Sequence, residues 1–152
     1  MKKILIIIVS TVALLYAVAL AVPIDPEERR PGTRLGGTLV DEANPDWSFV
    51  ENRQQVYVQT NTWYLIPHSV TTVSFVADDE LYIPCGWCEG KQWPQNVAAD
   101  PRVTVKIGER LFRRVAVKIP EEADKRHILN VPDGEPTPDF TLYRMDPPPS
   151  ST

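Results

Sequence analysis

Histidine and cysteine are scarce: His68, His127, Cys85 and Cys88 are all that 152 residues contain. A tetrahedral zinc centre takes about four nitrogen or sulfur ligands, so a dedicated one would need all four, and no metal site is expected. Two cysteines also exclude a disulfide-dense scaffold, so the fold must rest on a packed core. Basic excess is missing as well, with 16 Lys and Arg against 20 Asp and Glu and a formal net charge of −4. Without a basic stripe, nucleic acid is not an expected partner. The stretch RPGTRLGGTLV (30–40) lacks the Lys-Ser/Thr ending of a phosphate loop. It reads instead as a turn at Gly36-Gly37 feeding a first strand.

One long hydrophobic run is present. Lys2 and Lys3 precede the stretch from Ile4 to Val22, in which only Ser10, Thr11 and Tyr16 carry polar side-chain atoms. A spanning helix needs about 20 apolar residues, whereas a signal peptide core has about 7 to 15. Residues 1–22 are therefore expected to be a transmembrane anchor. The small-residue site Ala19-Leu20-Ala21 keeps a cleaved signal peptide open. The two lysines stay in the cytoplasm by the positive-inside rule. That places the rest on the extracytoplasmic side of a single-pass membrane protein, or in the periplasm or outside if the leader is cleaved.

Beyond the leader, PIDPEERRPGTR (23–34) holds three prolines and six charged residues and reads as an extended tether. A folded domain is expected over 35–131. A Pro-rich tail over 132–152 follows, draped on the surface with one strand near 140–144.

Within the domain the hydrophobic period is two. Strands are expected at Gln55–Gln59, Thr62–Ile66, Val70–Ala77, Glu80–Ile83, Arg102–Ile107 and Leu111–Ile119, all short and rich in β-branched or aromatic residues. Ala77-Asp78-Asp79-Glu80 and Gly108-Glu109 read as hairpin turns. Short helices are expected from Asn44-Pro45-Asp46 to about Asn52, from Lys91 to Ala99, and after Pro120. The sum is a mainly β fold, a barrel or sandwich with a few short helices.

The run VYVQTNTWYLIPHSVTTVSFVADDELYIP followed by KQWPQNVAADPRVTVKIGERLFRRVAVKI resembles the split-barrel superfamily typified by pyridoxamine-phosphate oxidase. The nearer likeness is to its deazaflavin-dependent, nitroreductase-like branch. It is carried by Lys91, Trp93, Asn96, Asp100-Pro101, Val103 and Gly108 in that order. The resemblance implies a six-stranded antiparallel split barrel, usually a homodimer, with FMN or a deazaflavin (F420) in a groove at the subunit interface. Such relatives commonly carry a basic, Gly-containing hairpin turn that grips the cofactor. This chain has Trp63-Tyr64-Leu65-Ile66-Pro67 there, lacking that Arg and Gly.

A phosphate-bearing cofactor needs a cation and several donors, which a helix start beside a lysine supplies. Lys91, Trp93 and Asn96 are candidate cofactor contacts on this basis. The plainer alternatives are a solvated lysine, an apolar helix anchor and a packing amide. Thr60, Thr62, His68, Ser69 and Thr71 are the further candidates, since relatives present small polar groups to the ring and phosphate from this hairpin. His68 titrates near neutrality and is the candidate for proton transfer, with a hydrogen-bonded structural histidine as the alternative.

CGWC has four readings: a thioredoxin-like dithiol, half a metal site, unpaired loop thiols, or a disulfide between Cys85 and Cys88. The helix is expected to start several residues after Cys88 and no βαβ pattern surrounds the pair, which argues against the dithiol. A disulfide, or two thiols, at the lip of the groove is the expectation. Three functions follow: a membrane-tethered flavin- or deazaflavin-dependent oxidoreductase, a non-catalytic split-barrel domain binding a ligand or partner, and a CxxC thiol redox protein.

Overall fold

The computed structural model describes residues 2–149. In chain order it contains α1 (Lys2–Ala21), β1 (Thr38–Val40), β2 (Gln54–Thr60), β3 (His68–Ala77), β4 (Glu80–Cys85), α2 (Gln92–Ala99), β5 (Arg102–Ile107), β6 (Arg110–Ile119), α3 (Glu122–Ile128) and β7 (Thr141–Asp146). Strands β2, β3, β4, β7, β6 and β5 pair antiparallel in that cyclic order, because β5 returns to β2. The result is a closed six-stranded barrel, the mainly β fold that the sequence implies.

Alternation along the strands fills the interior. Val56, Val58 and Thr60 of β2, Val103, Val105 and Ile107 of β5, and Phe112 and Ala116 of β6 are buried. Each large aliphatic or aromatic side chain so enclosed contributes roughly 1.5–3 kcal/mol relative to exposure. At one end Trp47 packs edge-on to Phe112, with ring centres 5.0 Å apart. The Arg114 guanidinium lies 4.9 Å from the Trp47 ring and donates to the carbonyls of Ala43 and Glu42.

Four local expectations differ from the structure. Thr62–Ile66 is a turn and not a strand: the β2–β3 ladder ends at Thr60 and His68, Leu65 takes φ +67°, and the Thr62 hydroxyl donates to the Ile66 carbonyl at 2.7 Å. Pro67 has no N–H with which to extend the ladder. The sixth stave is instead β7, from the Pro-rich tail. It does not lie over the surface but between β4 and β6, with Leu142, Tyr143 and Met145 buried. The helix expected at Asn44–Asn52 contracts to one 3₁₀ turn, Trp47–Phe49, whose start is capped by Asp46 accepting from the Ser48 N–H. The Asp78-Asp79 turn does form, with φ +50° and +62°, as a two-residue hairpin with two left-handed central residues requires.

The fourth difference concerns residues 23–34, which fold back onto the barrel instead of extending away. The cause lies in β3. This strand pairs with β4 only over Phe75–Ala77, after which β4 turns away to β7. Its edge from His68 to Ser74 thus lacks a strand partner, and unpaired backbone groups at an edge invite one. Gly32 takes part of that place: its N–H donates to the Ser69 carbonyl at 2.9 Å, and the Ser69 N–H donates back at 3.1 Å. A Cβ at Gly32 would sit 2.1 Å from the Ile24 carbonyl oxygen and 2.7 Å from Ser69 Oγ, so only glycine fits this approach. Further along, Asp25 pairs with Lys106 Nζ at 2.6 Å and accepts the Gly36 N–H at 2.9 Å. The segment is a strap, held at several points.

Candidate functional site

Divergence of β4 from β3 opens a groove floored by the β3 edge. Pro84 stands at its middle and lines cavities on either side. The smaller cavity, about 410 Å³, lies between the strap, β3 and the start of α2. The larger, about 960 Å³, is bordered by the far half of β3, Trp87, Ile128 and Phe140.

Four of the eight cofactor candidates meet in the smaller cavity: His68, Thr71, Lys91 and Trp93. Lys91 stands at the exposed cap position of α2, and its side chain makes no capping bond. Trp93 is 3% exposed and packs on Tyr143 with ring centres 5.0 Å apart. It therefore anchors α2 to the barrel as well as walling the cavity. Burial pushes the pKa of His68 below the ordinary imidazole value, which keeps the ring neutral at pH 7. The Thr71 hydroxyl is buried and has no partner among the described residues.

The other four candidates hold the frame. Thr60 is fully buried; its hydroxyl donates to the His68 carbonyl at 3.1 Å and accepts from Asn96 Nδ2 at 2.8 Å. That pair of bonds lashes α2 to the β2–β3 ladder immediately behind His68. Thr62 closes the hairpin turn, and Ser69 holds the strap through its backbone. Outside the groove, Asn61 and Arg102 both donate to Asp100, whose carboxyl is held far below its usual pKa, chiefly by the Arg102 hydrogen bond.

Two cations at the cavity escaped the sequence reading. Arg29 and Arg30 sit on the strap's turn, beside Glu28. The density of proline and charge around them implies a solvated tether; the signal against it is Gly32, whose close approach to Ser69 brings the turn inward. The larger cavity was missed too, since it depends on where β4 parts from β3.

Cys85 and Cys88 are joined by a disulfide with Cα atoms 5.7 Å apart, closing the loop between β4 and α2. Trp87, inside that loop, adopts left-handed φ and ψ of 47° and 52° and is 92% exposed. Cys88 opens a single 3₁₀ turn, Cys88–Gly90, but α2 begins only at Gln92, so the pair does not sit on an α-helix N-terminus. No cluster of three or more His, Cys, Asp and Glu able to hold a metal occurs among the described residues.

A family model described as F420H(2)-dependent quinone reductase matches residues 68–146, just over half of the chain and spanning β3 to β7. The chain belongs to the F420H2-dependent quinone reductase family. Those residues carry five of the six staves, including β3 and β4 at the groove, while the strap lies outside the family match. Comparison with curated proteins gives no match. Solved structures similar to it include a pyridoxamine 5′-phosphate oxidase-type protein from Listeria innocua, with 21% identity, a TM-score of 0.49 and 62% of this chain and 83% of that one covered. General stress protein 26 from Bacillus anthracis has 16% identity, a TM-score of 0.49 and coverages of 67% and 85%. A NimC/NimA family protein from Clostridium acetobutylicum has 16% identity, a TM-score of 0.47 and coverages of 62% and 74%.

Among the described residues, α1 is the one helix long and apolar enough to cross a membrane, with a mean hydropathy of 2.8. A membrane anchor and a signal sequence both pass that test.

Proposed function

We propose that this chain is a deazaflavin-dependent oxidoreductase that reduces a quinone, with F420 held along the groove between β3 and β4. The observation that carries the reading is the convergence of Lys91, Thr71, His68 and Trp93 on one cavity. Family membership supports it. The donor set fits such a cofactor: a cation for an anionic group, a buried donor without a partner, and apolar walls from Trp93 and Pro84 for a planar ring. When bound, a reduced deazaflavin supplies a hydride to an acceptor. The protein's part is to bind, orient and exclude water. Lys91 would hold negative charge, and Thr71 would regain the hydrogen bond that burial denies it. His68, neutral at pH 7, carries one ring N–H and one bare nitrogen and so suits passing a proton. A two-electron reduction of a quinone to a quinol by hydride needs one further proton, which gives such a relay its use.

The anchor reading of α1 suits a lipid-soluble acceptor. The Tyr16 hydroxyl donates to the Tyr64 carbonyl at 2.6 Å, so the hairpin tip touches the helix within its last turns. At that tip Trp63 is 92% and Leu65 70% exposed, residue types suited to the membrane interface. On this reading Lys2 and Lys3 remain cytoplasmic and the barrel faces an oxidising compartment, where the Cys85–Cys88 disulfide persists.

The test uses the full chain in detergent. Titration with F420, followed by the fluorescence of the deazaflavin, should saturate. Reduced F420 should be reoxidised on adding menadione. Failure to bind F420 sinks the proposal, and preferential binding of FMN moves the chemistry to an ordinary flavin.

A further inference from the structure

The hairpin tip Asn61–Pro67, NTWYLIP, carries no Lys or Arg and does not line the smaller cavity, so it brings no cation there. We infer that the strap supplies it: Arg29 and Arg30 act with Lys91 as the binding site for the anionic tail of the ligand. This rests on reading the groove as a cofactor site and assigns a role to a segment that the family match leaves out.

The arginines are placed by a built structure. Residues 27–30 form a tight turn, with the Arg30 N–H donating to the Glu27 carbonyl at 2.8 Å and the Glu27 N–H donating back at 3.2 Å. That turn is fixed between two docking points. On one side Asp25 binds Lys106, whose side chain is 6% exposed. On the other, Gly32 pairs with Ser69 of β3 at a spot that admits no side chain. The turn therefore rises against the groove, where Arg29 and Arg30 line the same cavity as Lys91 and Thr71.

Charge points the same way. Three cations face one carboxylate, Glu28, at this cavity. Among the described residues, neither arginine has an ion-pair partner within 4.0 Å. Of the strap's other carboxylates, Asp25 is committed to Lys106 and Glu27, at the start of the same turn, does not line the cavity. Two guanidinium forks and an ammonium suit a phosphodiester or carboxylate group, which accepts paired hydrogen bonds from each fork. F420 carries both, a phosphodiester and a glutamate tail, beyond its ring and ribityl chain.

The experiment compares F420 with its ring-ribityl precursor, which lacks the tail, binding to the full chain in detergent at low and high salt. The wild-type protein should prefer F420, and that preference should shrink with salt. Arg29→Gln with Arg30→Gln should weaken F420 binding about 30- to 100-fold, counting about tenfold or slightly less for each charge-assisted contact. It should leave the precursor within twofold. Arg29→Lys with Arg30→Lys should recover part of the loss. Equal loss of both ligands, or no loss of either, overturns the assignment while the cofactor groove stands. A wild-type protein that binds neither ligand overturns both readings together.

Discussion

Replacing Asp25 by Ala probes whether the strap is held as the structure implies. The change leaves Lys106, with 6% of its side chain exposed, without its 2.6 Å partner. Removing one member of a fully buried pair costs about 3–5 kcal/mol. Two features reduce that here: the Asp25 side chain is 36% exposed, and Glu109 stays within 3.8 Å of Lys106 Nζ. The lost Gly36 N–H bond adds about 1 kcal/mol. With the pair discounted to about 1 kcal/mol for those two features, the sum is about 2 kcal/mol, or a fall in Tm of roughly 6–10 °C for a domain of this size. Thermal melting in detergent reads it directly. Lys106→Met in the same chain should restore much of the loss, because the stranded charge is then gone. The pair also predicts an alkaline limit. Burial alone would lower the Lys106 pKa, but the Asp25 hydrogen bond and charge outweigh it and the net shift is upward. The folded chain thus binds the proton more tightly than the unfolded one. This stabilisation is complete below the ordinary lysine value of about 10.4 and is lost as pH rises through the higher folded value. An Asp25→Ala protein that melts within 1 °C of wild type would refute the account of how the strap is fastened.

Three further outcomes follow from the groove and the barrel. Asn96→Ala removes a donor to the buried Thr60 hydroxyl and should lower unfolding free energy by about 1–2 kcal/mol in denaturant titration, with a weaker F420 affinity because α2 is no longer lashed to β2. His68→Gln should abolish an inflection in the pH profile of F420H2 oxidation; the wild-type inflection should fall below pH 6.5, since desolvation lowers this pKa. Leu142→Ala, at a fully buried position of β7, should cost about 2–5 kcal/mol, whereas a surface-draped tail would tolerate it within about 0.5 kcal/mol.

The barrel was legible wherever burial is one-sided. In β2, β5 and β6 the inward positions alternate with outward ones, so a period of two stands out and bounds the strands closely. It misled at Thr62–Ile66, where a Trp-Tyr-Leu-Ile run has strand composition but forms the turn that closes the β2–β3 ladder and ends at Pro67. It nearly hid β7, because LYRM is embedded among prolines that read as a solvated tail. Thr141–Asp146 gains its structure from two neighbouring edges, which is long-range information. The candidate site divided in the same manner. Lys91, Trp93, His68 and Thr71 reach the cavity because α2 and β3 both border the split. Thr60, Thr62 and Asn96 carry equally suitable polar atoms but spend them on one another and on backbone carbonyls. Spacing cannot separate a hydroxyl beside the cavity from one that faces its neighbour strand; position in the fold does.

The strap joins two features that the sequence presents as separate. Ile24 lies three residues after the end of α1, and from there the chain runs through Asp25, the Arg29-Arg30 turn and Gly32 to the first strand without a free stretch. The backbone pair Ile24–Arg34 closes its base, with the Ile24 N–H donating to the Arg34 carbonyl at 2.9 Å. A flexible tether would leave the height of the two arginines over the cavity unset. A strap closed at its base and fastened by the pairs at Lys106 and Ser69 sets that height from the barrel and not from α1. Lengthening the chain between Ala21 and Ile24 with glycine and serine should therefore leave F420 affinity unaltered, whereas the same insertion between Arg30 and Gly32 should weaken it. Equal effects from the two insertions would show that the strap does not hold the arginines at the groove.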